Sequence, residues 1–242
     1  MLTYILLALG GISLAFFLLF RNKEGGIGPA ILKTLTSLLF VATALSGAVN
    51  NYIVTGNAAP EKLTFMALVV LGLVCGLIGD LTLDLKVTYK TLNVRHSDLY
   101  TYFGMAAFGV GHILYIVAVA LFFGFSAWTI LIAAAVTAGI FCVSIFLIKM
   151  QFERFLIPAI AYTFLLTLFI AGTVAAGMIA GFAVAVILLV IGSALFLLSD
   201  LVLSMTYFNG NESRVLIIIN HVLYYAAQFL IALSLYYVGM TL

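Results

Sequence analysis

The chain has 242 residues, of which 66% are hydrophobic and only 7% are charged, and its mean hydropathy is +1.32. No soluble single-domain protein can bury that much apolar surface, so the composition excludes that class and predicts a polytopic membrane protein. The formal net charge of +2 is too small to indicate a nucleic-acid partner.

Eight apolar segments are long enough for a membrane-crossing helix, which needs about 20 apolar residues. They lie at 2–20, 31–53, 63–85, 101–123, 126–148, 155–177, 182–205 and 214–240. The first segment lacks a basic region before its apolar run and a small-residue cleavage site, so we expect it to be retained as a span. The sequence therefore predicts an all-α protein, with eight transmembrane helices in a single transmembrane domain, 1–242.

The connections between the spans are predicted to be short polar turns, at 21–29, 55–61, 151–154 and 209–214 among others. The longest connection, at 86–100, follows span 3. Nine of the ten Lys and Arg residues lie in or beside the connections after spans 1, 3, 5 and 7, and only Lys62 lies at the opposite side. The positive-inside rule then predicts that these connections are cytoplasmic and that both termini lie outside. In a bacterium, the membrane would be the cytoplasmic membrane.

Two short patterns occur twice in the chain. GDLTLD at 79–84 corresponds to SDLVLS at 199–204, and GHILY at 111–115 corresponds to NHVLY at 220–224. Spans 1–4 and 5–8 are therefore predicted to be two four-helix repeats of the same orientation, covering about 1–123 and 124–242. Membrane proteins built from such parallel repeats often have their binding sites at the repeat interface.

Asp80 and Asp200 are the strongest candidates for catalytic residues, because ionisable residues inside membrane helices usually mark functional sites. Gly72, Gly76 and Asp80 share one helix face, and small residues at this spacing allow a second helix to approach closely. If both carboxyls face one cavity, we expect one to hold a proton while the other ionises, which is the division that acid–base hydrolysis requires. The alternative for each aspartate is a buried structural hydrogen bond.

Two histidine–tyrosine pairs lie on single helix faces: His112 with Tyr115 on span 4, and His221 with Tyr224 on span 8. His112 is a candidate for substrate binding or for a helix–helix hydrogen bond, whereas His221 is interpreted as structural. Asp84, one turn beyond the first aspartate, is either a substrate-binding residue or a solvated helix end. The chain has no H-E-x-x-H or C-x-x-C pattern, so neither a metal nor another cofactor is predicted.

Four stretches together carry a resemblance to a known family: GLVCGLIGDLTLD, FGMAAFGVGHILYI, GSALFLLSDLVLSMTYF and YYAAQFLIALSL. They resemble the YhhN family of membrane proteins, and they cover spans 3, 4, 7 and 8. That family is described as having eight spans, and it includes lysoplasmalogenases, which hydrolyse the vinyl ether bond of lysoplasmalogens.

The resemblance implies that Asp80 and Asp200 are the catalytic acid and base, with Asp80 favoured as the acid because its glycine-lined face suggests tighter burial. It also implies a set of polar site positions, and we expect neighbouring residues to bind substrate: His112, Tyr115, Tyr225 and Gln228, with Tyr224, Asp84 and Lys33 beside them. Lys33 is a candidate for the substrate phosphate, or alternatively a positive-inside anchor. The family often has proline where Thr34 follows Lys33 here.

The implied function is that of an integral membrane hydrolase whose partners are a lysophospholipid substrate and the surrounding lipids. One alternative is a small proton-coupled transporter or channel, because paired intramembrane carboxylates also serve proton relays. A third is a structural membrane protein with buried polar contacts. For the enzyme, we expect a cavity between spans 3, 4, 7 and 8, polar at its cytoplasmic mouth, with the substrate chain passing His112 and Tyr115 along Gly104, Gly109 and Gly111.

Overall fold

A computed structural model describes residues 1–21, 26–56, 59–89, 94–210 and 213–240. Within these ranges, the chain forms eight α-helices and no strand. The helices are α1 (Leu2–Phe20), α2 (Ile27–Thr55), α3 (Pro60–Tyr89), α4 (Val94–Phe123), α5 (Ala127–Cys142), α6 (Leu156–Ala180), α7 (Val184–Phe208) and α8 (Arg214–Tyr237). Eight helical segments are long and apolar enough to cross a membrane. The prediction of an all-α, eight-span membrane fold is confirmed.

The connection between α3 and α4 is shorter than predicted. α3 continues to Tyr89 and α4 begins at Val94, so most of the stretch 86–100 is helical. Hydropathy ended α3 too early and began α4 too late, because the turns at this end of both helices lie outside the apolar window and carry polar residues. The remainder of this connection, 90–93, lies outside the described residues, as do 22–25, 57–58 and 211–212 of the other predicted turns.

The end of the fifth span departs from regular α-helix. α5 ends at Cys142, and a π-turn, Val143–Leu147, follows it directly. The sequence predicted one regular helix to residue 148. A short 3₁₀ turn, Glu153–Phe155, precedes α6. Two residues have positive φ, which is uncommon for residues other than glycine: Lys149, between the two turns, at 61° and Glu153, the first residue of the 3₁₀ turn, at 45°. π-turns and such backbone outliers occur frequently at functional sites, so this segment is a candidate part of one.

The helix contacts of the two halves correspond. α1 contacts α2 as α5 contacts α6, α2 contacts α3 as α6 contacts α7, and α3 contacts α4 as α7 contacts α8. Between the halves, α2 packs on α8 and, correspondingly, α6 packs on α4. Two parallel four-helix repeats would produce this pairing. The contacts therefore support the repeat, which stays a prediction.

The start of α1 and the end of α8 lie at one end of the bundle, where the hydroxyl oxygens of Tyr4 and Tyr237 are 2.6 Å apart. The connections after α1, α3, α5 and α7 form the opposite end. We call this the basic end, because nine of the ten Lys and Arg residues belong in or beside those connections. That it faces the cytoplasm stays a prediction.

Candidate active site

A cavity of about 800 Å³ reaches into the bundle from the basic end. Its walls come from α2, α3, α4, α7 and α8, and its mouth from the ends of these helices and the segment 149–155. Asp80 and Asp200 both line it, on α3 and α7. The structure therefore brings the two sequence-predicted carboxyls into one cavity, which also includes Lys33, Asp84 and Tyr224 from the predicted set.

Asp80 is 3% exposed and is surrounded by donors from two other helices. The hydroxyl of Ser37 on α2 donates to its Oδ2 at 2.6 Å, and the hydroxyl of Tyr224 on α8 donates to the same oxygen at 2.8 Å. The ammonium group of Lys33 lies 3.3 Å from its Oδ1. Hydrogen bonds and a cation at these distances stabilise the ionised carboxylate.

The glycine face before Asp80 explains how these partners reach it. A Cβ at Gly76 would lie 2.5 Å from Nε2 of Gln228 on α8, and a Cβ at Gly72 would collide with the ring of Tyr115 on α4. The absence of side chains at these positions lets α4 and α8 approach α3 closely. Asp80 consequently points into helix–helix contacts, as its spacing predicted.

Lys33 belongs to a buried network of charges. Its Nζ lies 3.4 Å from Oδ1 of Asp84, and Nη1 of Arg21 lies 3.3 Å from the same oxygen. Asp84 is 9% exposed, so it is not a solvated helix end. The hydroxyl of Tyr225 donates to the backbone carbonyl of Lys33 at 3.2 Å, which supports this turn of α2. The ammonium group of Lys33 is thus held by Asp80 and Asp84 within the protein.

Asp200 has a different set of partners. The hydroxyl of Tyr162 on α6 donates to its Oδ2 at 2.5 Å. Among the residues that the structure describes, Asp200 has no ion-pair partner. A carboxyl with one neutral donor and no cation is poorly stabilised as an anion in an apolar surrounding, which favours its protonated form.

Three predicted residues form a hydrogen-bonded chain that ends on Asp80. The hydroxyl of Tyr115 donates to Oε1 of Gln228 at 3.3 Å, and Nε2 of Gln228 donates to the hydroxyl of Tyr224 at 3.1 Å. Tyr224 then donates to Asp80. Of the three, Tyr224 lines the cavity, whereas Tyr115 and Gln228 lie behind it in the core and each is 1% exposed. Tyr115 and Gln228 are therefore placed to orient Tyr224 rather than to touch a substrate.

The structure places the two histidines differently with respect to the cavity. Both use Nδ1 in the same way, at 2.8 Å from the carbonyl of Phe108 for His112 and at 2.7 Å from that of Ile217 for His221. His112 does not line the cavity; its Nε2 is buried without a partner, and four rings surround it, those of Tyr115, Tyr162, Phe169 and Phe196. His221, interpreted as structural from the sequence, lines the cavity.

The predicted path for a substrate chain past His112 and Tyr115 is closed. The ring of Tyr115 stacks on Phe169 at 5.1 Å, which fills the space below the aspartates. A Cβ at Gly111 would lie 2.9 Å from the carbonyl oxygen of Gly72, so this glycine serves the packing of α4 on α3. The sequence-based path was wrong because glycines inside a helix mark close helix packing as readily as a groove.

Several residues that contact the aspartates or line the cavity were missed by sequence reasoning. Ser37 lies one turn beyond Lys33 on the same face of α2, so its i, i+4 spacing was a usable signal. Tyr162 had no such signal, because a tyrosine in a span is equally typical of the membrane interface. Arg21 and the segment 149–155 were assigned to connections, whose contribution to a cavity depends on tertiary structure.

The acidic and histidine side chains around the cavity are poorly arranged to hold a metal ion. Among the described residues, no group of three or more His, Cys, Asp and Glu side chains is arranged to hold a metal ion. The carboxylates of Asp80 and Asp84 contact cations of the protein itself, and Nδ1 of both His112 and His221 lies close to a backbone carbonyl. The donor set is therefore better suited to moving protons than to binding a metal.

Comparison with known proteins places the chain in a family. A search of curated proteins and a search of solved structures each gave no match. The sequence model of the YhhN family matches residues 29–235, which includes both aspartates and every helix from α2 to α8. The chain belongs to the YhhN family.

Proposed function

We propose that the protein is an integral membrane hydrolase that cleaves the vinyl ether bond of a lysoplasmalogen, releasing a fatty aldehyde and a glycerophospho-base. One observation carries the proposal: two carboxyls in one cavity have partners that favour opposite protonation states. Among the described residues, Asp80 contacts Lys33 and two hydroxyl donors, whereas the one polar side-chain contact of Asp200 is with the hydroxyl of Tyr162. Family membership supports the same reaction class.

These partners assign the two roles. Asp200, protonated, is the general acid, and Asp80, ionised, is the general base. This reverses the assignment favoured on sequence, which rested on burial alone. Burial disfavours a charge on both carboxyls, but a cation at 3.3 Å and two hydroxyl donors oppose this effect at Asp80, whereas one neutral donor opposes it at Asp200. Within the part of the chain that the structure describes, the polar contact of Oδ1 of Asp80 is with Lys33, so a lone pair of this oxygen can accept a hydrogen bond from a water molecule.

The reaction proceeds in three balanced steps. Asp200 gives its proton to the outer carbon of the C=C bond, and the ether oxygen shares the resulting positive charge as an oxocarbenium ion. Water adds to the carbon next to that oxygen and gives a proton to Asp80, and the product of this addition is a hemiacetal. Asp80 then protonates the leaving glycerol oxygen while Asp200 removes the hydroxyl proton, so the C–O bond breaks and both carboxyls regain their starting states.

The cavity suits a lipid with a polar headgroup. Its mouth is lined by charged and polar side chains, among them Lys86, Asp98, Lys149 and Gln151. A glycerophospho headgroup held there would place the first chain bond further inside, toward Asp80 and Asp200. The continuous helices α3 and α7 lack the broken segments that the transporter alternative predicts.

The test uses purified protein in lipid nanodiscs with three substrates of matched headgroup and chain length. These are a lysoplasmalogen, an ester lysophospholipid and a lysophospholipid with a saturated ether chain. We expect aldehyde from the lysoplasmalogen alone, because only the vinyl ether accepts a proton on carbon. Hydrolysis of the ester at an equal rate, or no aldehyde from the lysoplasmalogen, would contradict the proposal.

A further inference from the structure

A second, smaller cavity lies next to the first, between α4, α5, α6 and α7. Asp200, Phe108 and Tyr207 line both cavities, so the two adjoin at the proposed acid. Away from Asp200, the walls are mainly apolar and include Phe141 and Leu166. Its volume is about 90 Å³, against about 800 Å³ for the first cavity, so it is a narrow extension of the site.

The second cavity occupies a place where the two halves of the molecule differ. α1 contacts both α2 and α8, whereas its counterpart α5 contacts no other described α-helix than α6. In the first half, the cleft beside α1 is filled by Phe17, whose ring lies 4.9 Å from His221 and 6.3 Å from Tyr225. In the second half, α5 stands away from α4, and the cavity lies in the gap.

The π-turn forms the boundary between this cavity and the bilayer. Ser144 lines the cavity and is 6% exposed, whereas the neighbouring Phe146 and Leu147 are 74% and 75% exposed. The turn therefore presents one side chain inward and large apolar side chains outward, to lipid. Helix α5 and this turn thus form a wall that a lipid chain within the membrane can reach.

We propose that the second cavity binds the hydrocarbon chain of the substrate, a single-chain ether phospholipid that enters from the bilayer beside the π-turn. This inference rests on the proposed function. The carbon that Asp200 protonates belongs to the chain, so the chain must leave the acid in an apolar direction. Toward the mouth the walls are polar, and below the aspartates the stacked rings of Tyr115 and Phe169 fill the space. Among the cavities formed by the described residues, the second one meets the requirement.

Crosslinking to a lipid that cannot be hydrolysed tests the site independently of the reaction. The probe is a lysophospholipid with a saturated ether chain and a diazirine in mid-chain, added to the full-length protein in nanodiscs. After irradiation, we expect adducts on the cavity-facing residues of the π-turn, α6 and α7, such as Ser144, Thr163 and Leu197. Adducts on α3 and α4 near His112, or adducts spread evenly over lipid-facing residues, would overturn the proposal.

A matched pair of variants sharpens this test. Ala159→Phe places a ring in the second cavity, and Ala135→Phe places the same ring on an exposed face of α5 away from it. We expect at least about tenfold less crosslinking in Ala159→Phe and no change in Ala135→Phe, because small changes of volume in an apolar pocket alter binding by about 10–200-fold. Equal crosslinking in both variants would overturn the proposal. If Ala159→Phe fails to fold, Ser144→Leu fills the same cavity from its opposite wall.

Competition and hydrolysis separate the two proposals from each other. A diacyl phospholipid in excess should not displace the probe; displacement would mean a general lipid crevice and overturn the inference. If wild-type protein captures the probe in the second cavity but releases no aldehyde from lysoplasmalogen, the chain site stands and the proposed reaction fails. If it releases aldehyde while the adducts lie elsewhere, the reaction stands and the chain site fails.

Discussion

Asp80 and Asp200 occupy corresponding positions in the two halves of the chain but have unlike surroundings. Within the described ranges, Asp80 has polar contacts with a lysine, a serine and a tyrosine, whereas Asp200 has one with a tyrosine. The difference arises on the helix that precedes each aspartate's own helix. α2 brings Lys33 and Ser37 to Asp80, and α6 brings Tyr162 to Asp200. A repeat that duplicates a carboxyl can therefore give the two copies separate roles by changing the partners and leaving the acid itself unchanged.

The largest expected effect is the loss of activity in Asp80→Asn and in Asp200→Asn. The amide keeps the shape of the carboxyl but cannot exchange a proton at working pH, so each variant should lower kcat by about 10²–10⁴-fold. Aldehyde release from lysoplasmalogen measures this. Near-normal turnover in either variant would show that its aspartate is structural and that the two carboxyls do not divide the acid and base roles between them.

Stability should distinguish the same two aspartates. Asp80→Asn removes one of the two carboxylates that hold Lys33, and breaking a buried ion pair typically costs about 3–5 kcal/mol. Because Asp84 retains its contact with Lys33, we expect a loss toward the lower end of this range, visible as a lower Tm. Asp200→Asn breaks no ion pair and should melt close to wild type.

A double variant provides the control for this difference. Lys33→Met alone should destabilise the protein, since Asp80 and Asp84 are then left without their shared cation. Lys33→Met combined with Asp80→Asn should lose less than the sum of the two single changes. Additive losses, or an equal loss of Tm in Asp200→Asn, would mean that the lysine does not separate the two carboxyls.

A smaller effect is expected from the tyrosines that follow each other on α8. Tyr224→Phe removes a donor to Asp80 and leaves the Nε2 of Gln228 without its acceptor. A hydrogen bond to a charged group is worth about 1.5–3 kcal/mol, so kcat should fall by at least about tenfold. Tyr225→Phe is the matched control, because its hydroxyl contacts Ser37 and the carbonyl of Lys33 but not Asp80. The contrary outcome is an equal loss of kcat in both variants, which would point to packing.

The sequence predicted the eight spans and the two aspartates but not the difference between the surroundings of these aspartates. Eight apolar segments, and two aspartates on the third and seventh, were visible in the sequence because intramembrane charge is rare. The sequence favoured a structural role for His221 and left the role of His112 open, although both stand in the same H-x-x-Y pattern, which does not show which of them reaches the cavity. His221 lines the cavity beside Phe17, whereas His112 is enclosed by four rings from its own and other helices. Only the packing of distant helices decides which of two such residues reaches the cavity, and the same holds for Tyr162 and the π-turn.

The smallest expected effect is that of chelation, and it tests whether the two carboxyls act as a proton pair at all. If Asp80 and Asp200 were ligands of one metal ion, they would have one shared role, and removing the ion would silence both together. The ammonium group of Lys33, 3.3 Å from Oδ1 of Asp80, would repel a metal ion at that oxygen, and Nε2 of His112 is enclosed by aromatic rings, so neither group is suited to join Asp200 as a ligand. Prolonged treatment with a strong chelator, followed by elemental analysis, should leave kcat unchanged and find no stoichiometric metal. A bound metal whose removal abolishes turnover and whose return restores it would replace the division between acid and base with a single metal centre.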